Sequence, residues 1–398
     1  MNSRIKFLVV MGSTCIVLLL LLGTVLGKTA NTNGAYPHIG VYTEVLSRIK
    51  SEYVEEPDIK SVTLGALNGL LESIDPFASY LNSDQYKDYL KNKDVAKAGV
   101  GLVLSKKFGY VGVVGVVPGS PAAKAGIGPQ DMIETIKGIA TRDMPLAYAS
   151  MLMDGEAGSS VDLTVIRVRR PEPQKVSLTR AAITYPPVSA RMMPEQIGYI
   201  RPETLATGKV KEVAGALKKL QGEGAKKLIL DLRNTAVGSP EEGVALANLF
   251  VEKGLITYLQ GQRVPRKNFE ADPAKGVTTL PLAVITNRGT AEGAEIAAAA
   301  LLDSKRAQVV GERTYGDASL RRAITMDDGG AIILSVAKYY SPSGKAIQDT
   351  GVTPSVVVNE PEAQIDLDDR GEPLPEAPEP QRKPEEDPLL KKAVEILK

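Results

Sequence analysis

Two short apolar runs in the second half of the chain place the strongest constraint on its fold. The first is KLILDL at 227–232 and the second is PLAVIT at 281–286. Uninterrupted apolar runs of this length are typical of strands buried on both faces, as in a parallel sheet covered by helices. The stretch AEGAEIAAAALLDS at 291–304 predicts a helix directly after the second run. Residues 183–360 therefore predict an α/β domain in which strands and helices alternate.

An apolar segment near the N-terminus predicts export. Arg4 and Lys6 precede a run without charged residues that ends before Lys28. As a helix, residues 7–27 would be about 32 Å long, enough to cross a hydrocarbon core of about 30 Å. The apolar part of a secretory signal is shorter, ~7–15 residues, so an uncleaved anchor is favoured over a cleaved signal peptide, which stays open. In either case residues 1–28 predict that the body of the protein lies outside the cytoplasm, in the cell envelope.

The scarcity of histidine and cysteine excludes several kinds of site. The chain has one histidine, His38, and one cysteine, Cys15. No intrachain disulfide and no Cys/His metal cluster can form, and we expect neither a metal nor another cofactor. Because His38 lies in the N-terminal segment, any serine chemistry would need a lysine as its base. The formal net charge of +1 gives no indication of a nucleic-acid partner.

Three further segments differ from the α/β domain in sequence pattern. Residues 36–95 have helical periodicity and predict an N-terminal helical segment. Residues 96–182 contain short β-like runs with glycine turns, which predicts a mostly β domain. Residues 361–398 begin with Pro- and Glu-rich sequence typical of a solvated linker and end in an amphipathic helix with an Asp cap.

The β-rich segment resembles a PDZ domain of the kind found in tail-specific peptidases. The similarity rests on AGVGLVLS at 98–105, GSPAAKAGIGPQDMIETIKG at 119–138 and VDLTVIRVRR at 161–170. It implies that the domain binds polypeptide C-termini, with the bound peptide adding a strand to the edge of the sheet.

The resemblance also implies a carboxylate-binding loop at the start of this domain. The loop consists of four consecutive residues, Gly99, Val100, Gly101 and Leu102. Glycines allow consecutive backbone N–H groups to converge on an anion, here the terminal carboxylate of a peptide. The alternative is that these glycines form only a hairpin turn, and the GSPAAKAGI motif that follows favours binding.

Nearly the whole exported chain resembles the carboxyl-terminal processing, or tail-specific, serine peptidases. The colinear stretches are 73–81, 198–205, 228–238, 283–323 and 338–358. The resemblance implies a spiral sheet-and-helix core related to crotonases and Clp-type peptidases. The predicted fold class is therefore α/β, with an N-terminal anchor and helical segment, a PDZ domain and a crotonase/Clp-like peptidase core.

The family mechanism implied by this resemblance uses a serine at a strand-to-helix turn, a lysine base and a glutamine that holds the lysine. At the family spacing, these positions fall on Glu292, Asp317 and Arg321. A glutamate cannot supply an attacking alkoxide, and an aspartate cannot replace a neutral amine as base. The chain is therefore predicted to be a pseudopeptidase.

The oxyanion loop implied by the resemblance departs from the family pattern as well. The family's DLRGNPGG reads DLRNTAVG at 231–238, so that Val237 replaces the first glycine of the final pair and only Gly238 remains. A side chain at this position is expected to misdirect one donor, and losing one such donor lowers the rate about a hundredfold or more.

A second interpretation is an active serine-type endopeptidase of envelope proteins with a non-standard nucleophile. The hydroxyl residues near the family motifs are Thr290, Ser319, Ser341 and Ser343, and none has a lysine at the family spacing. Expected partners in either case are polypeptide C-termini. An active peptidase relative, a second copy of the chain and, through residues 7–27, the membrane are further candidates.

We expect the three replaced catalytic residues to form an ion cluster. Two neighbouring carboxyl groups repel, which raises the pKa of one, and Arg321 would offset this with bidentate donors. The alternative is that all three side chains face solvent. A third interpretation, a hydrolase using Glu292 and Asp317, is disfavoured because Arg321 is expected to keep both acids ionised.

Overall fold

The structure is a computed structural model of the 398-residue chain. It describes residues 36–93, 98–107, 109–142, 144–167, 170–360 and 387–398. The predicted anchor, residues 7–27, lies outside the described residues. Within them, we find no helix with the length and apolar character that spanning a membrane requires.

The chain divides into two compact units, Met1–Ala66 and Leu67–Lys398. The described part of the first unit contains α1 (Tyr36–Glu52) and the beginning of α2 (Ile59–Glu72). The second unit contains the remaining elements that the structure describes, including three sheets.

The first sheet is antiparallel and forms the β-rich domain. Its strands are, in spatial order, β2 (Leu102–Lys107), β3 (Tyr110–Val116), β4 (Met132–Ile136), β6 (Ser160–Arg167) and β7 (Arg170–Thr179), with β5 (Ile139–Ala140) paired to β4. The helices of this domain are α4 (Pro121–Lys124) and α5 (Leu146–Met153). Strand β2 lies at one edge of the described sheet, next to α5.

The second sheet is the predicted parallel sheet. Its spatial order is β17 (Val356–Val357), β14 (Gln308–Gly311), β13 (Leu282–Thr286), β10 (Lys227–Asp231), β9 (Ile197–Arg201) and β8 (Ser189–Met193). Every neighbouring pair is parallel except β8 and β9. The helices α6 (Lys209–Gly222), α7 (Pro240–Asn248) and α8 (Gly293–Asp303) follow β9, β10 and β13. The predicted α/β architecture is therefore confirmed.

The apolar runs are buried on both faces of this sheet. Leu228 and Leu230 of β10 join the core formed with α6, α7 and α8. Ile229, between them, faces the opposite side because side chains alternate along a strand. That side is covered by α9 (Pro388–Ile396), through Leu389 and other apolar residues. The amphipathic helix predicted at the end of the chain therefore belongs to the core, a placement that local sequence could not indicate because its partner strands are distant along the chain.

A buried ion network holds α9 in place. Asp231, at the end of β10, accepts a hydrogen bond of 2.7 Å from the Tyr199 hydroxyl and pairs with Arg233. Arg233 also contacts Asp387, the N-cap residue of α9, at 2.8 Å. Burial alone would raise the pKa of Asp231, but the hydrogen bonds and charge of Arg233 bring it below its usual value.

The third sheet is antiparallel and lies next to the loops that form the site. Its strands are β1 (Ser79–Leu81), β16 (Ala331–Tyr340), β11 (Leu255–Gln260) and β12 (Lys267–Glu270), with β15 (Ser319–Thr325) paired to β16. Strand β1, which precedes α3 (Ser83–Lys93), lies inside the segment predicted to be helical. Local periodicity missed it because it is stabilised by β16, a partner far along the chain.

Two glycines allow α7 and α8 to approach each other at their first turns. A Cβ atom on Gly243 would lie 2.2 Å from the carbonyl oxygen of Gly293. A Cβ atom on Gly293 would lie 2.4 Å from the carbonyl oxygen of Ser239. Both positions therefore require glycine, and the close approach places residue 292 beside the loop that precedes α7.

We expect Gly243→Ala to lower the free energy of unfolding by about 1–3 kcal/mol, because the added methyl group meets backbone atoms. The matched control is Gly215→Ala in α6, where no neighbouring atom lies within 4 Å of the added Cβ. Since alanine favours the helix, this control is expected to raise the free energy of unfolding by about 0.4–1 kcal/mol. Urea denaturation measures both changes, and equal effects of the two variants would contradict the close approach.

Candidate active site

Glu292 occupies a strained turn between β13 and α8. It is the N-cap residue of α8, with φ 52° and ψ −125°, and its side chain makes no capping hydrogen bond. A positive φ in a residue other than glycine costs about 1–3 kcal/mol and persists only where the surroundings hold it. Turns of this kind present the nucleophile in α/β-hydrolases. The backbone of a nucleophile turn is therefore present, with a carboxyl group in the nucleophile's place.

Hydrogen bonds from Thr290 and Ala291 hold this turn against the loop that follows β10. The Thr290 hydroxyl donates a hydrogen bond of 2.8 Å to the carbonyl of Leu232, and the Ala291 amide donates to the carbonyl of Thr235 at 3.0 Å. Both acceptors lie in the loop after β10. The side chain of Thr290 is therefore buried and used structurally.

The oxyanion loop contacts the carboxyl group of Glu292. The Gly238 amide donates to Glu292 Oε2 at 3.3 Å. A Cβ atom on Gly238 would lie 2.5 Å from Cβ of Leu205, which explains why this glycine remains. The Val237 carbonyl accepts from the Leu205 amide at 2.6 Å, so the loop is fixed to the neighbouring chain. The donor of Gly238 is therefore aimed at the side chain of residue 292.

A buried glutamate that the sequence analysis missed holds the loop of Asp317. Glu295 in α8 accepts hydrogen bonds from the amides of Gly316 at 2.8 Å and Asp317 at 2.7 Å, and from the Thr314 hydroxyl. Burial raises the pKa of Glu295 to about 8. The sequence signal for it was an acid in the first turn of an alanine-rich helix, because an acid buried there needs hydrogen-bond partners.

The structure brings Asp317 and Arg321 into direct contact. The Arg321 guanidinium pairs with Asp317 Oδ1, and its Cζ atom lies 4.1 Å from the ring centroid of Phe77. Asp75 lies close enough for its charge to act on Asp317. The Asp75 carboxylate accepts a hydrogen bond of 2.9 Å from the Phe77 amide, which links Phe77 to the acids around Arg321. Arg321 is therefore held between an acid and an aromatic ring.

Glu292 belongs to the same electrostatic cluster, but not to the ion pair. Among the described residues, no cationic group lies within salt-bridge distance of its carboxyl group. Burial and the charge of Asp317 raise the pKa of Glu292 to about 8. Burial also raises the pKa of Asp317, against the opposing charge of Arg321. The expectation that Arg321 keeps both acids ionised is therefore wrong, because it pairs with only one of two desolvated carboxyl groups.

Glu292, Asp317 and Arg321 line a cavity of about 590 Å³. Its lining residues are Tyr185, Ala206, Thr207, Val237, Gly238, Ser239, Pro240, Glu292, Asp317, Ala318, Ser319 and Arg321. Within the described part of the chain, the lining contains neither lysine nor histidine. Of the candidate hydroxyls, Ser319 reaches the cavity, and its Oγ atom lies 2.9 Å from that of Ser335. The two predicted oxyanion residues and the three predicted catalytic positions thus share one cavity.

Comparison with known proteins identifies the family. Peptidase family S41 matches residues 196–358, and the PDZ domain family matches 112–167. A carboxyl-terminal-processing protease of Synechocystis sp. is 33% identical over 321 residues, which cover 79% of this chain and 75% of the relative. A carboxy-terminal-processing protease of Bartonella bacilliformis is 30% identical over 338 residues, covering 84% and 78%. The chain belongs to peptidase family S41, the carboxyl-terminal-processing proteases.

A solved structure agrees with this assignment. The photosystem II D1 C-terminal processing protease has a TM-score of 0.66 and 27% sequence identity to this S41 chain, covering 86% of it and 92% of the solved chain. The predicted family resemblance and the predicted PDZ domain are therefore both confirmed.

In the described residues of this S41 protein, no group of three or more metal-ligating side chains occurs.

The PDZ loop of this S41 protein needs one correction. The Gly99 amide donates to the carbonyl of Ala181 at 2.9 Å, so it is not available to a bound carboxylate. Among the described residues, no acceptor lies within hydrogen-bond distance of the amides of Val100 and Gly101. Gly101 has φ +80°, and a Cβ atom there would lie 2.3 Å from Cβ of Ser120, in the GSPAAKAG motif. Val100 is fully buried, so Gly101, which is partly exposed, is the part of the loop whose amide a peptide can reach.

We expect the free energy of unfolding of this S41 protein to fall as the pH rises from about 5 to about 8. The folded state retains protons on Glu292 and Glu295 in this range, whereas the unfolded chain has released them. Glu292→Gln should make this fall smaller, as measured by urea denaturation across the range. The control Glu241→Gln, an exposed acid in α7, should leave it unchanged. Identical pH profiles for all three proteins would contradict the raised pKa of Glu292.

Proposed function

We propose that this S41 protein is a non-cleaving member of its family that binds polypeptide C-termini in the cell envelope. The observation that supports this proposal most directly is the identity of the residue at the strained turn, Glu292. A glutamate stands where a nucleophile is presented, and one of its oxygen atoms accepts the hydrogen bond of Gly238. The donor that would stabilise a developing oxyanion is thus already engaged by the protein itself.

The rest of the cavity supports the absence of serine chemistry. A serine attacks only after a neighbouring base has removed its proton. Ser319 contacts another hydroxyl, that of Ser335, rather than an amine or imidazole. Asp317 is paired with Arg321, so it offers neither a neutral amine nor a free carboxylate to a substrate. The cavity therefore keeps the shape of an active site without an activated nucleophile.

The PDZ domain supports binding of polypeptide C-termini. The amide of Gly101, which is partly exposed, can donate to a terminal carboxylate, and β2 provides the edge to which an extended peptide can add. The apolar segment 7–27, which is long enough for an anchor, supports the proposed envelope location. In that compartment, the protein would present chain ends to an active peptidase relative or sequester them from it.

The alternative is an active endopeptidase with a non-standard nucleophile. Two features favour a test of it, namely that Ser319 lines the cavity and that burial raises the pKa of Glu292 to about 8. A protonated carboxyl group beside an ionised one is the arrangement used for general acid–base hydrolysis. The pairing of Asp317 with Arg321 removes the free base from this arrangement.

We expect the full-length protein to cleave an unfolded polypeptide no faster than background and to remain unlabelled by serine-directed phosphonates. The physical reason is the absence of an activated nucleophile in the cavity. Mass spectrometry measures both results. A variant with Glu292→Ser, Asp317→Lys and Arg321→Gln restores the three family residue types, and its labelling provides the positive control.

Three outcomes of this assay would contradict the proposal in distinguishable ways. Cleavage lost in Ser319→Ala would identify a serine nucleophile. Cleavage that survives the changes Thr290→Ala, Ser319→Ala and Ser341→Ala but is lost in Glu292→Gln would identify carboxylate chemistry. Cleavage that survives all of these variants would place the active group outside the cavity.

We expect the PDZ domain in the full-length protein to bind peptides with a free C-terminal carboxylate about tenfold or more tightly than the matching amides, because a charge-assisted contact is lost. Fluorescence anisotropy measures the two affinities. Gly101→Ala should abolish the difference, since the added methyl group meets Ser120. The control is Gly128→Ala, where no neighbouring atom lies within 4 Å. Equal affinity for acid and amide in the unmodified protein would rule out carboxylate recognition.

A further inference from the structure

We infer that the cavity at Glu292 and Asp317 binds the basic side chain of a polypeptide, with a lysine ammonium as the best fit. The inference rests on the proposed function, since it assigns the cavity a ligand that is held rather than cleaved. It concerns a site separate from the carboxylate loop of the PDZ domain. It therefore predicts a second recognition element in the same bound polypeptide.

The shape and lining of the cavity suit an amphipathic side chain. About 590 Å³ is available, with apolar walls formed by Tyr185, Val237 and Pro240. The two carboxyl groups, Glu292 and Asp317, line the same cavity. A lysine side chain has an apolar stem and a charged end, so that its stem would contact the walls while its ammonium group approaches the acids.

The charges at the site favour a cation. Asp317 already has the guanidinium of Arg321, which is also stacked on Phe77. Glu292 has one hydrogen bond, from the Gly238 amide, and no cationic partner within salt-bridge distance among the described residues. The buried carboxyl group of Asp75 adds a further acid to the neighbourhood of Asp317. The acids at this site therefore outnumber the one guanidinium that faces them.

An anionic ligand is the competing possibility, because the first turns of α7 and α8 contribute partial positive charge. In α7 this charge is offset by Glu241 and Glu242 in the first turn. In α8 it faces Glu292 itself, and the charge of Arg321 is engaged by Asp317. The buried Nε atom of Arg321 has no hydrogen-bond partner among the described residues, but the charge of this guanidinium is paired with Asp317. A carboxylate would therefore meet two acids and one paired guanidinium, whereas an ammonium group would meet an acid without a counterion.

Binding of the ammonium group is coupled to release of a proton. The charged groups that act on Glu292 are Asp317, which favours its protonated form, and Arg321, which opposes it. Ser239 and Pro240, which line the cavity at the start of α7, have uncharged side chains. An ammonium group stabilises the ionised carboxylate, so the proton leaves Glu292 for solvent as the ligand binds. Affinity should therefore rise with pH until Glu292 is ionised in the free protein.

The experiment measures binding of three fluorescent peptides to the full-length protein. The peptides carry lysine, ε-acetyl-lysine or glutamate at one internal position, and all are C-terminal amides so that the PDZ carboxylate contact does not contribute. At about pH 8.5 we expect the lysine peptide to bind about tenfold more tightly than the acetylated peptide. Its affinity should weaken about tenfold or more as the pH is lowered to about 6.

Two charge-removing variants provide the matched comparison. Glu292→Gln keeps the shape of the side chain and should abolish both the lysine preference and its pH dependence. Glu270→Gln removes an exposed acid of β12 that does not line the cavity, and it should retain both. Urea denaturation of each variant shows whether it is folded under the binding conditions.

Several results would overturn the inference. These are equal affinity for lysine and acetyl-lysine at about pH 8.5, a preference for the glutamate peptide, or a lysine preference that persists in folded Glu292→Gln. Mass spectrometry of the peptides after binding separates this question from the proposed function. Cleaved peptides count against the non-cleaving function itself, whereas intact peptides without a lysine preference count against the cation site alone.

Discussion

The burial of both faces of the parallel sheet is the constraint on which the rest of the structure depends. The central residues of β10 and β13 are apolar on both faces, so helices must cover these strands from two sides, and α9 is needed for one of these sides. The loops that leave the carboxyl ends of these two strands are then brought together, as is usual for sites in parallel sheets. One loop carries Gly238 and the other carries Glu292, which explains how residues far apart in sequence come to share one hydrogen bond.

The site combines a strained backbone turn with a cluster of buried acids and one guanidinium. The turn at residue 292 is strained, and glycines at positions 243 and 293 remain where any Cβ atom would meet backbone. Glu295 continues to hold the Asp317 loop through two backbone amides. Desolvation of Glu292 and Asp317 then sets their protonation, with Arg321 compensating for one of them. The result is a cavity whose charge responds to pH and to the cations that enter it.

The PDZ domain and the peptidase core contact each other beside this cavity. Gly115 of β3 packs against Ala236 of the oxyanion loop, where an added Cβ atom would lie 2.4 Å from the alanine methyl group. The Tyr315 hydroxyl donates to Ser105 of β2, and the Tyr315 ring meets Phe77 edge-on, with centroids 6.2 Å apart. Because Phe77 also supports Arg321, the strand edge that would receive a peptide is connected by packed side chains to the charged cluster.

The sequence by itself determined the α/β core, because its apolar runs and helical stretches are local patterns. The resemblance of its motifs to the family predicted the PDZ domain and the correspondence of Glu292, Asp317 and Arg321 to the catalytic positions. It also indicated that Glu292 and Asp317 would be neighbours. Only the tertiary structure decided that Arg321 pairs with Asp317 alone, that Glu295 anchors the loop and that the Gly99 amide is already engaged. It likewise placed α9 against the sheet. The physical reason is that burial and hydrogen-bond geometry depend on partners distant along the chain, whereas periodicity and spacing report only on near neighbours.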